Sequence, residues 1–198
     1  MINLKKGNSI SLEKDGKKLE NVYVGLNWGK IKTFFGLMHE NVDLDGSVST
    51  FDYYGEEVDT VYYAKKESDD RSIKHSGDDV SGDSSNDNKD NETISINLAK
   101  VSPKVKSIVV FLNSYRGQDF DSIPYANIRL LEGDAVRTRN AFANFNLSSD
   151  PKFKDKVSMV MARIDKTEKG WNFVTIGEPV ETKKLGETID LIKQRYLG

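Results

Sequence analysis

The sequence predicts an all-β protein, built mainly as a two-sheet antiparallel β-sandwich with a few short helices. Its apolar segments are short, rich in Val, Ile, Phe and Tyr, and bounded by Gly, Asn, Asp or Ser, which is typical of strands. Helical spacing is clear only near the C-terminus. Many short strands spread along 198 residues favour two packed sheets in a single domain that spans residues 1–198.

Individual elements follow from local patterns. The segment 93–98 alternates cleanly and places Ile94, Ile96 and Leu98 on one face. The segments 159–166 and 171–177 are joined by a short connection that ends in Gly170, which favours a β-hairpin. The segment 186–197 has apolar residues at helical spacing, and Thr188 is the expected cap. The remaining segments predicted as strands are 22–26, 44–51, 61–64, 107–113, 126–131, 141–145 and 157–165.

Composition excludes several classes of chemistry. The chain has no cysteine, which excludes disulfides, thiolate nucleophiles, iron–sulfur clusters and cysteine-ligated zinc. With 29 basic and 31 acidic residues the net charge is −2, and nothing indicates nucleic-acid binding. Residues 1–7 contain no apolar run of signal-peptide length, and no segment approaches the roughly 20 apolar residues of a membrane span. We therefore expect a cytoplasmic protein.

The segment 67–92 departs from the composition of the rest of the chain. It has almost no large apolar residues apart from Ile73 and Val80, so it cannot bury a core of its own. Predicted strands flank it on both sides, and both are needed for the sandwich. We interpret it as a long acidic loop inserted within the domain, because loops of this length in compact domains are usually functional or disordered.

The part of this segment between His75 and Glu92 has the composition of a metal site. It carries six carboxylates against one lysine, with Ser and Asn in most gaps. Crowded carboxylates repel one another unless a cation lies among them, and calcium takes 6–8 oxygen ligands in flexible geometry. Asp79, Ser81 and Asp83 follow a calcium-loop count, but Ser84 replaces the required glycine, so an EF-hand is excluded. A solvated loop without metal is the alternative that composition leaves open.

A second acidic pair lies at Asp43 and Asp45. On a strand these two side chains point to the same face, while Leu44 points to the other face, towards a core. Two carboxylates side by side are costly unless a cation bridges them. The alternative is a strand end with two solvated aspartates.

The order of motifs resembles the TerD-type family of tellurium-resistance and stress proteins. Residues 24–28 read Val-Gly-Leu-Asn-Trp and resemble the family's Val-Gly-Leu-Gly-Trp, and residues 43–47 resemble its Asp-Leu-Asp-Ala-Ser. Residues 75–83 resemble its His-Thr-Gly-Asp-Asn-x-Thr-Gly-Glu, and residues 90–92 match its Asp-Asp-Glu. Looser matches at 126–130, 145–148 and 170–173 complete the order, so the resemblance covers almost the whole chain.

The resemblance implies a calcium-binding, non-enzymatic β-sandwich protein of the stress response, associated with resistance to tellurite and other toxic agents. It would act as a sensor, buffer or adaptor with other stress-response or tellurium-resistance proteins, and peripherally at the inner face of the membrane. It also implies that the two acidic clusters converge and hold two calcium ions, with Asp87 as a reserve ligand. The implied metal ligands are Asp43, Asp45, Asp78, Asp79, Ser81, Asp83, Asp90 and Glu92.

Departures from the family pattern concern the same sites. Gly29 replaces the family's Asp after the tryptophan, and Asp79 replaces its Asn after the Gly-Asp pair. The segment 30–41 also diverges, and its run of Phe34, Phe35, Leu37 and Met38 is expected to belong to the core, with an exposed partner patch as the alternative.

Two other functions stay open on the sequence. One is a metal-dependent phosphoester hydrolase, in which paired carboxylates hold cations for catalysis. The other is a calcium-dependent module that binds membranes or sugars. His75 is expected to hydrogen-bond the acidic loop and not to act as a catalytic base.

Overall fold

The computed structural model describes residues 2–14, 16–33, 35, 37–84, 89–132, 140–147 and 151–197. Within them the chain forms sixteen strands and one α-helix. The strands are β1 Ile2–Asn3, β2 Ser9–Ser11, β3 Glu13–Lys14, β4 Lys17–Lys18, β5 Asn21–Trp28, β6 Ile31–Thr33, β7 Met38–Glu40, β8 Leu44–Asp52, β9 Glu57–Val61, β10 Ile73–His75, β11 Glu92–Asn97, β12 Val105–Ser114, β13 Ala126–Glu132, β14 Asn140–Leu147, β15 Ser158–Thr167 and β16 Gly170–Val180. The helix is α1, Leu185–Arg195.

Two six-stranded sheets make up the fold, which confirms the β-sandwich prediction. The first sheet has the order β1-β14-β13-β5-β11-β10, and the second has the order β2-β16-β15-β12-β8-β9. All pairings in these sheets are antiparallel except the short β1–β14 pair. Two small ribbons, β3–β4 and β6–β7, stand apart from the two sheets.

The core lies between the sheets and follows the alternation of the strands. On β11, Ile94 and Ile96 are fully buried while the residues between them are partly exposed. On β8, Leu44 and Val48 are fully buried in the same core, so Leu44 points inward as the sequence predicted. A separate apolar cluster on the outer face of the second sheet joins Phe51 of β8 to Ile192 of α1.

The helix covers that outer face, and its start differs from the prediction. The predicted cap, Thr188, lies inside α1 and is fully buried. Its hydroxyl donates to the carbonyl of Lys184 at 3.1 Å, and Lys184 itself occupies the N-cap position without a side-chain cap. Leu185 is partly buried against the apolar cluster, which favours a start one residue before the predicted one.

The predicted C-terminal hairpin is confirmed, but two other assignments are wrong. β15 and β16 pair closely around the turn at Gly170, whose φ of 139° lies in the range that favours glycine. A strand was predicted at 61–64, but the observed strand, β9, ends at Val61 and so lies almost entirely before the predicted segment. The segment 67–92 is not a loop throughout, since β10 forms the edge of the first sheet and buries Ile73 completely.

The segment 30–41 is also different from the expectation. It forms the β6–β7 ribbon, and three of its apolar side chains are exposed. The exposed fractions are 107% for Phe35, 86% for Leu37 and 56% for Met38. Phe34 lies outside the described residues. The expectation that this apolar run joins the core is therefore wrong for the described part, because the ribbon belongs to neither large sheet.

Across the described ranges, no helix has the length and apolar character that crossing a bilayer requires.

Candidate metal centre

Acidic residues gather at one end of the sandwich, where β5 and β12 end and β8 and β11 begin. The acidic loop between His75 and Glu92 lies across this end and is hydrogen-bonded to the end of β5. The Asp83 amide donates to the carbonyl of Trp28 at 3.0 Å, and the Asn91 amide donates to that of Leu26 at 2.8 Å. The described part of the loop is therefore fixed by backbone contacts as well as by its side chains.

The first carboxylate cluster consists of Asp43, Asp45 and Asp78. One carboxylate oxygen from each lies within 4.8 Å of the others. Asp43 and Asp45 are buried, with exposed fractions of 4% and 8%, while Asp78 is exposed. The pairing of β8 with β12 holds Asp45 in place, and the Asp43 carbonyl accepts a hydrogen bond from the Tyr115 amide at 2.9 Å.

Charge within this cluster is only partly compensated. Arg116 Nε lies 3.4 Å from Asp43 Oδ2 and is half exposed. Burial raises the pKa of Asp43, as does the nearby charge of Asp78, while Arg116 opposes the shift. Burial, followed by the charges of Asp43 and Asp78, raises the pKa of Asp45 to about 7. No described residue donates a hydrogen bond to the Asp45 carboxylate.

Asp79 shows the opposite situation. Its Oδ1 accepts hydrogen bonds from the Ser81 amide at 2.9 Å, the Ser81 hydroxyl at 2.7 Å and the Gly82 amide at 3.2 Å. Its Oδ2 accepts from Asn91 Nδ2 at 3.0 Å. Burial alone would raise the pKa of Asp79, but these donors outweigh it and lower the pKa.

The second oxygen cluster is held together by two side-chain amides. It comprises Asp79, Asp83, Asn27, Asn91 and the carbonyl of Lys89. Asn91 Nδ2 bridges Asp79 and Asp83, lying 3.1 Å from Asp83 Oδ1. Three oxygens converge on Asn27 Nδ2, namely Asp83 Oδ2 at 2.7 Å, the Lys89 carbonyl at 2.6 Å and Asn91 Oδ1 at 3.2 Å. The amide nitrogen therefore occupies a position surrounded by three acceptor oxygens.

Asp90 lies over β5 and is neutralised by an arginine. Arg129 donates to Asp90 Oδ1 through Nε at 2.8 Å and Nη2 at 2.7 Å. A Cβ atom at Gly25 would come within 2.3 Å of the Asp90 side chain, so the carboxylate can approach the strand only because residue 25 is glycine. This arrangement fixes the chain just before β11.

Glu92 is fully buried and connects three parts of the acidic end. Its Oε2 accepts from the Gly46 amide at 2.9 Å, and its Oε1 accepts from the Asp79 amide at 3.4 Å. His75 Nε2 lies 3.3 Å from Glu92 Oε2 and 3.1 Å from the Gly46 carbonyl. Because the Gly77 amide donates to His75 Nδ1 at 3.1 Å, the ring proton lies on Nε2. Burial raises the pKa of Glu92, against the hydrogen bond from His75.

The predicted ligands thus divide into separate groups. Three of them meet in the first carboxylate cluster, and Asp79 and Asp83 meet in the second oxygen cluster. Ser81 supports Asp79, whereas Asp90 and Glu92 are held by Arg129 and His75. Asp87 lies outside the described residues.

Sequence reasoning missed the amides of Asn27 and Asn91 and the arginines Arg116 and Arg129. Asn27 stands inside the first family-like motif and Asn91 inside the last acidic one. Their positions could have suggested a role, but the partners of the two arginines depend on the fold.

The first carboxylate cluster fits a hard divalent cation. Its donors are all carboxylate oxygens, which calcium and magnesium prefer, and no sulfur or nitrogen ligand is offered. The buried Asp45 carboxylate has no hydrogen-bond donor among the described residues, although a buried charge is costly unless it is paired. A bound cation would supply that missing partner.

Fold and site together define a class of β-sandwich proteins. In this class, aspartates from an inter-strand loop and from the beginning of a strand lie close together at one end of the sandwich. The TerD domain family model matches residues 1–190, so the chain belongs to the TerD domain family. The family resemblance predicted from the motifs is confirmed.

Named relatives agree with this assignment. The chain is 27% identical over 195 residues to the tellurium resistance protein TerZ of Serratia marcescens, covering 96% of this chain and 94% of the relative. It is 27% identical over 201 residues to the stress response protein SCP2 of Bacillus subtilis (strain 168), covering 95% and 97%. The relatives are thus named as resistance and stress proteins.

The fold also matches a solved structure. A crystal structure of a homologue of the telluride resistance protein TerD from Streptomyces coelicolor A3(2) superposes with a TM-score of 0.66. The match covers 91% of this chain and 98% of that one at 17% sequence identity, which supports the fold.

We predict that Glu92→Gln lowers the free energy of unfolding by about 1–3 kcal/mol. An amide cannot accept at both positions, so one of the donors from Gly46, Asp79 or His75 would face an NH₂ group. Urea denaturation in chelator would measure the change. Glu67→Gln is the matched control, because Glu67 is 43% exposed in a surface pair with Lys74 and should change stability by less than about 0.5 kcal/mol. Equal effects of the two substitutions would contradict the role assigned to Glu92.

We also predict a pH dependence of the metal-free protein. The pKa of Asp45 is raised from 3.8 to about 7 on folding, so between these values the folded state holds a proton that the unfolded chain releases. The free energy of unfolding should therefore fall as pH rises from about 4 to about 7. Asp45→Asn should flatten this slope, whereas Asp121→Asn, at an exposed position, should not. Identical slopes in wild type and Asp45→Asn would argue against a buried, uncompensated carboxylate.

Proposed function

We propose that this TerD-family protein binds two calcium ions at neighbouring sites on the acidic end of the sandwich. The observation that carries the proposal is the first carboxylate cluster, in which three aspartates converge and the buried Asp45 lacks a hydrogen-bond donor among the described residues. Calcium suits such a cluster because it accepts six to eight oxygens in flexible geometry, and waters can complete the shell around the exposed Asp78.

Asp43, Asp45 and Asp78 would hold the first ion. Asp45 comes from β8 and Asp43 directly precedes that strand, whereas Asp78 comes from the acidic loop. The ion would therefore join the loop to the second sheet while removing the mutual repulsion of the three carboxylates. Asp43 would keep its contact with Arg116.

Asp79 and Asp83 would hold the second ion, supported by the Ser81 hydroxyl and the Lys89 carbonyl. The amides of Asn27 and Asn91 now bridge these oxygens. Rotation of the Asn27 amide about its last torsion exchanges its nitrogen for its oxygen, which would turn Asn27 from a donor into a calcium ligand. Asn91 would keep its orientation, because its Oδ1 accepts a hydrogen bond from the Trp28 amide at 2.8 Å. Asp90 and Glu92 are assigned the supporting role of fixing the chain beside this site.

We assign the protein a non-enzymatic role in the stress response, as a calcium-dependent sensor, buffer or adaptor that acts with other stress-response proteins. The names of the relatives support the stress context. The hydrolase alternative requires a base at the metal, and His75 is poorly suited to this because its side chain is buried and both of its ring nitrogens are hydrogen-bonded.

Counting bound calcium tests this proposal. Native mass spectrometry of the wild type in calcium is expected to show two ions, which a chelator removes. Asp45→Asn should lose one ion by weakening the first site, and Asp83→Asn should lose the other. Asp121→Asn, an exposed aspartate outside both clusters, should keep both. Absence of calorimetric heat at millimolar calcium, or an unchanged count in both site variants, would sink the proposal.

A second candidate function is calcium-dependent binding to a membrane surface. The observation that favours it is the exposed apolar tip of the β6–β7 ribbon, formed by Phe35, Leu37 and Met38. The ribbon is tied to the acidic loop at both legs, since the Lys30 amide donates to the Asp83 carbonyl at 2.9 Å and the Val42 amide donates to the Ser81 carbonyl at 3.1 Å. A calcium ion held by Asp83 would thus lie next to the base of the ribbon.

Vesicle sedimentation distinguishes this candidate. Wild-type protein is expected to sediment with vesicles of phosphatidylserine and phosphatidylcholine in calcium but not in chelator. The double variant Phe35→Ser and Leu37→Ser should lose most of the bound fraction while keeping its calcium count. Tyr54→Ser is the matched control, because Tyr54 is 91% exposed on a different turn. Equal sedimentation of both variants would rule out insertion of the ribbon tip.

A further inference from the structure

A cavity opens on the outer face of the second sheet, beside the first carboxylate cluster. Its volume is about 290 Å³, which is near the lower limit for sites that bind small organic molecules. On one side it is lined by Tyr62 and Tyr63, which follow β9, and by Tyr115, which follows β12. The start of α1 lies on the other side. The residues used in the argument are Asp45, Tyr62, Tyr63, Asn113, Tyr115 and Lys184, all of which line it.

Two buried acceptors lie next to each other in its wall. Asp45 of β8 and Asn113 of β12 are directly paired across the strands, so their side chains point to the same face of the sheet. Their exposed fractions are 8% and 7%. Asp45 receives no hydrogen bond from any described residue, and Asn113 Oδ1 is a buried oxygen without a partner.

The orientation of the Asn113 amide is determined by its neighbours. Its Nδ2 lies 2.7 Å from Ser158 Oγ and 3.1 Å from Thr188 Oγ1. The Ser158 hydroxyl donates to the Thr182 carbonyl at 2.6 Å, and the Thr188 hydroxyl donates to the Lys184 carbonyl at 3.1 Å. Both hydroxyls therefore accept from Asn113 Nδ2, so Oδ1 is the acceptor of this amide that has no partner. Buried acceptors of this kind are rarely left unpaired.

Tyrosine rings supply the rest of the wall. Tyr62 and Tyr63 pack edge to face with ring centroids 5.4 Å apart, and Tyr63 and Tyr115 do the same at 6.2 Å. Tyr115 is 68% exposed and Tyr63 is 38% exposed, so ring surface remains available to a ligand. Tyrosine faces attract cations through their quadrupole.

The charge around the cavity wall also favours a cation. Asp43 and Asp78 lie within 4.8 Å of Asp45, and only Asp43 among the three has an arginine partner in the described structure. Lys183 and Lys184 contribute to the rim, but both are exposed, so water screens their charges far more than it screens the buried carboxylate. The wall therefore combines a buried carboxyl group, a neutral acceptor and aromatic rings.

We propose that this cavity binds a small organic primary amine in its ammonium form. The ammonium group would donate hydrogen bonds to Asp45 and Asn113 Oδ1, and the body of the ligand would lie against Tyr63 and Tyr115. A bare metal ion would satisfy Asp45 but would leave the tyrosine-lined volume empty. The amine site does not require calcium to bind, but both ligands would use Asp45 and therefore compete for it.

Three phenol compounds with the same ring test the chemistry. Tyramine carries a primary ammonium, tyrosol carries a hydroxyl in its place, and trimethylated tyramine keeps the charge without an N–H donor. Calorimetry in chelator is expected to show tyramine binding at one site, and both analogues binding at least about tenfold more weakly. Glucose serves as a neutral polyol, and it should give no heat if the site is not a sugar site.

Variants then locate the site. Tyr63→Ala and Tyr115→Ala are expected to weaken tyramine about tenfold while leaving the calcium count unchanged, since neither contributes to the first carboxylate cluster. Asn113→Leu should weaken it further, and the exposed tyrosines provide a test if that buried substitution prevents folding. Tyr54→Ala, at an exposed tyrosine outside the cavity, is the control and should bind tyramine like wild type.

The outcomes separate this inference from the calcium proposal. Tyramine binding that responds to Tyr63→Ala supports the amine site even if no calcium binds. Tyramine binding no tighter than tyrosol, binding of glucose instead, or equal affinities of Tyr63→Ala, Tyr115→Ala and Tyr54→Ala would each overturn the amine site, whatever the calcium count. Calcium should weaken tyramine in wild type, and lack of this competition would exclude Asp45 as the shared group.

Discussion

The acidic end of the protein depends on the burial of Glu92 between the two sheets. One carboxylate group receives the Gly46 amide from β8, the Asp79 amide from the acidic loop and the ring of His75 from β10. Gly46 is required for this arrangement, because a Cβ atom there would lie 2.6 Å from Glu92 Oε2 and 2.4 Å from Leu26. The contact sets the position of the strand that carries Asp45 relative to the loop that carries Asp78.

Neighbouring carboxylates consequently have very different environments. Asp79 and Asp90 receive hydrogen bonds or an arginine, which compensates the cost of burial, whereas the hydrogen bonds of Glu92 offset that cost only in part and its pKa stays raised. Asp45 receives none from the described residues, and the adjacent charges of Asp43 and Asp78 add to the cost. The difference separates aspartates that build the loop from those that would gain most from a cation. Composition treats all of them alike, since every one is an acidic residue in or near the same segment.

The sequence was sufficient for the sandwich and for most of its strands because alternation and turn residues are local signals. It also identified the two acidic segments, but it could not assign partners. Arg129 meets Asp90 only through the pairing of β13 with β5, and Asn113 meets Asp45 only through the pairing of β12 with β8. The apolar run near Phe35 was assigned to the core because composition cannot show that a ribbon stands apart from both sheets.

The acidic loop links the two oxygen clusters through adjacent residues. Asp78 belongs to the first cluster and Asp79 to the second, and the Asp79 amide also donates to Glu92. An ion that draws Asp78 towards β8 must therefore act on the backbone of residue 79, which carries a hydrogen bond into the core and a side chain in the second cluster. Two calcium ions at this end would not bind independently, because a single peptide bond connects their ligands. Occupation of one site should therefore change the calcium affinity of the other, and by linkage the effect is reciprocal.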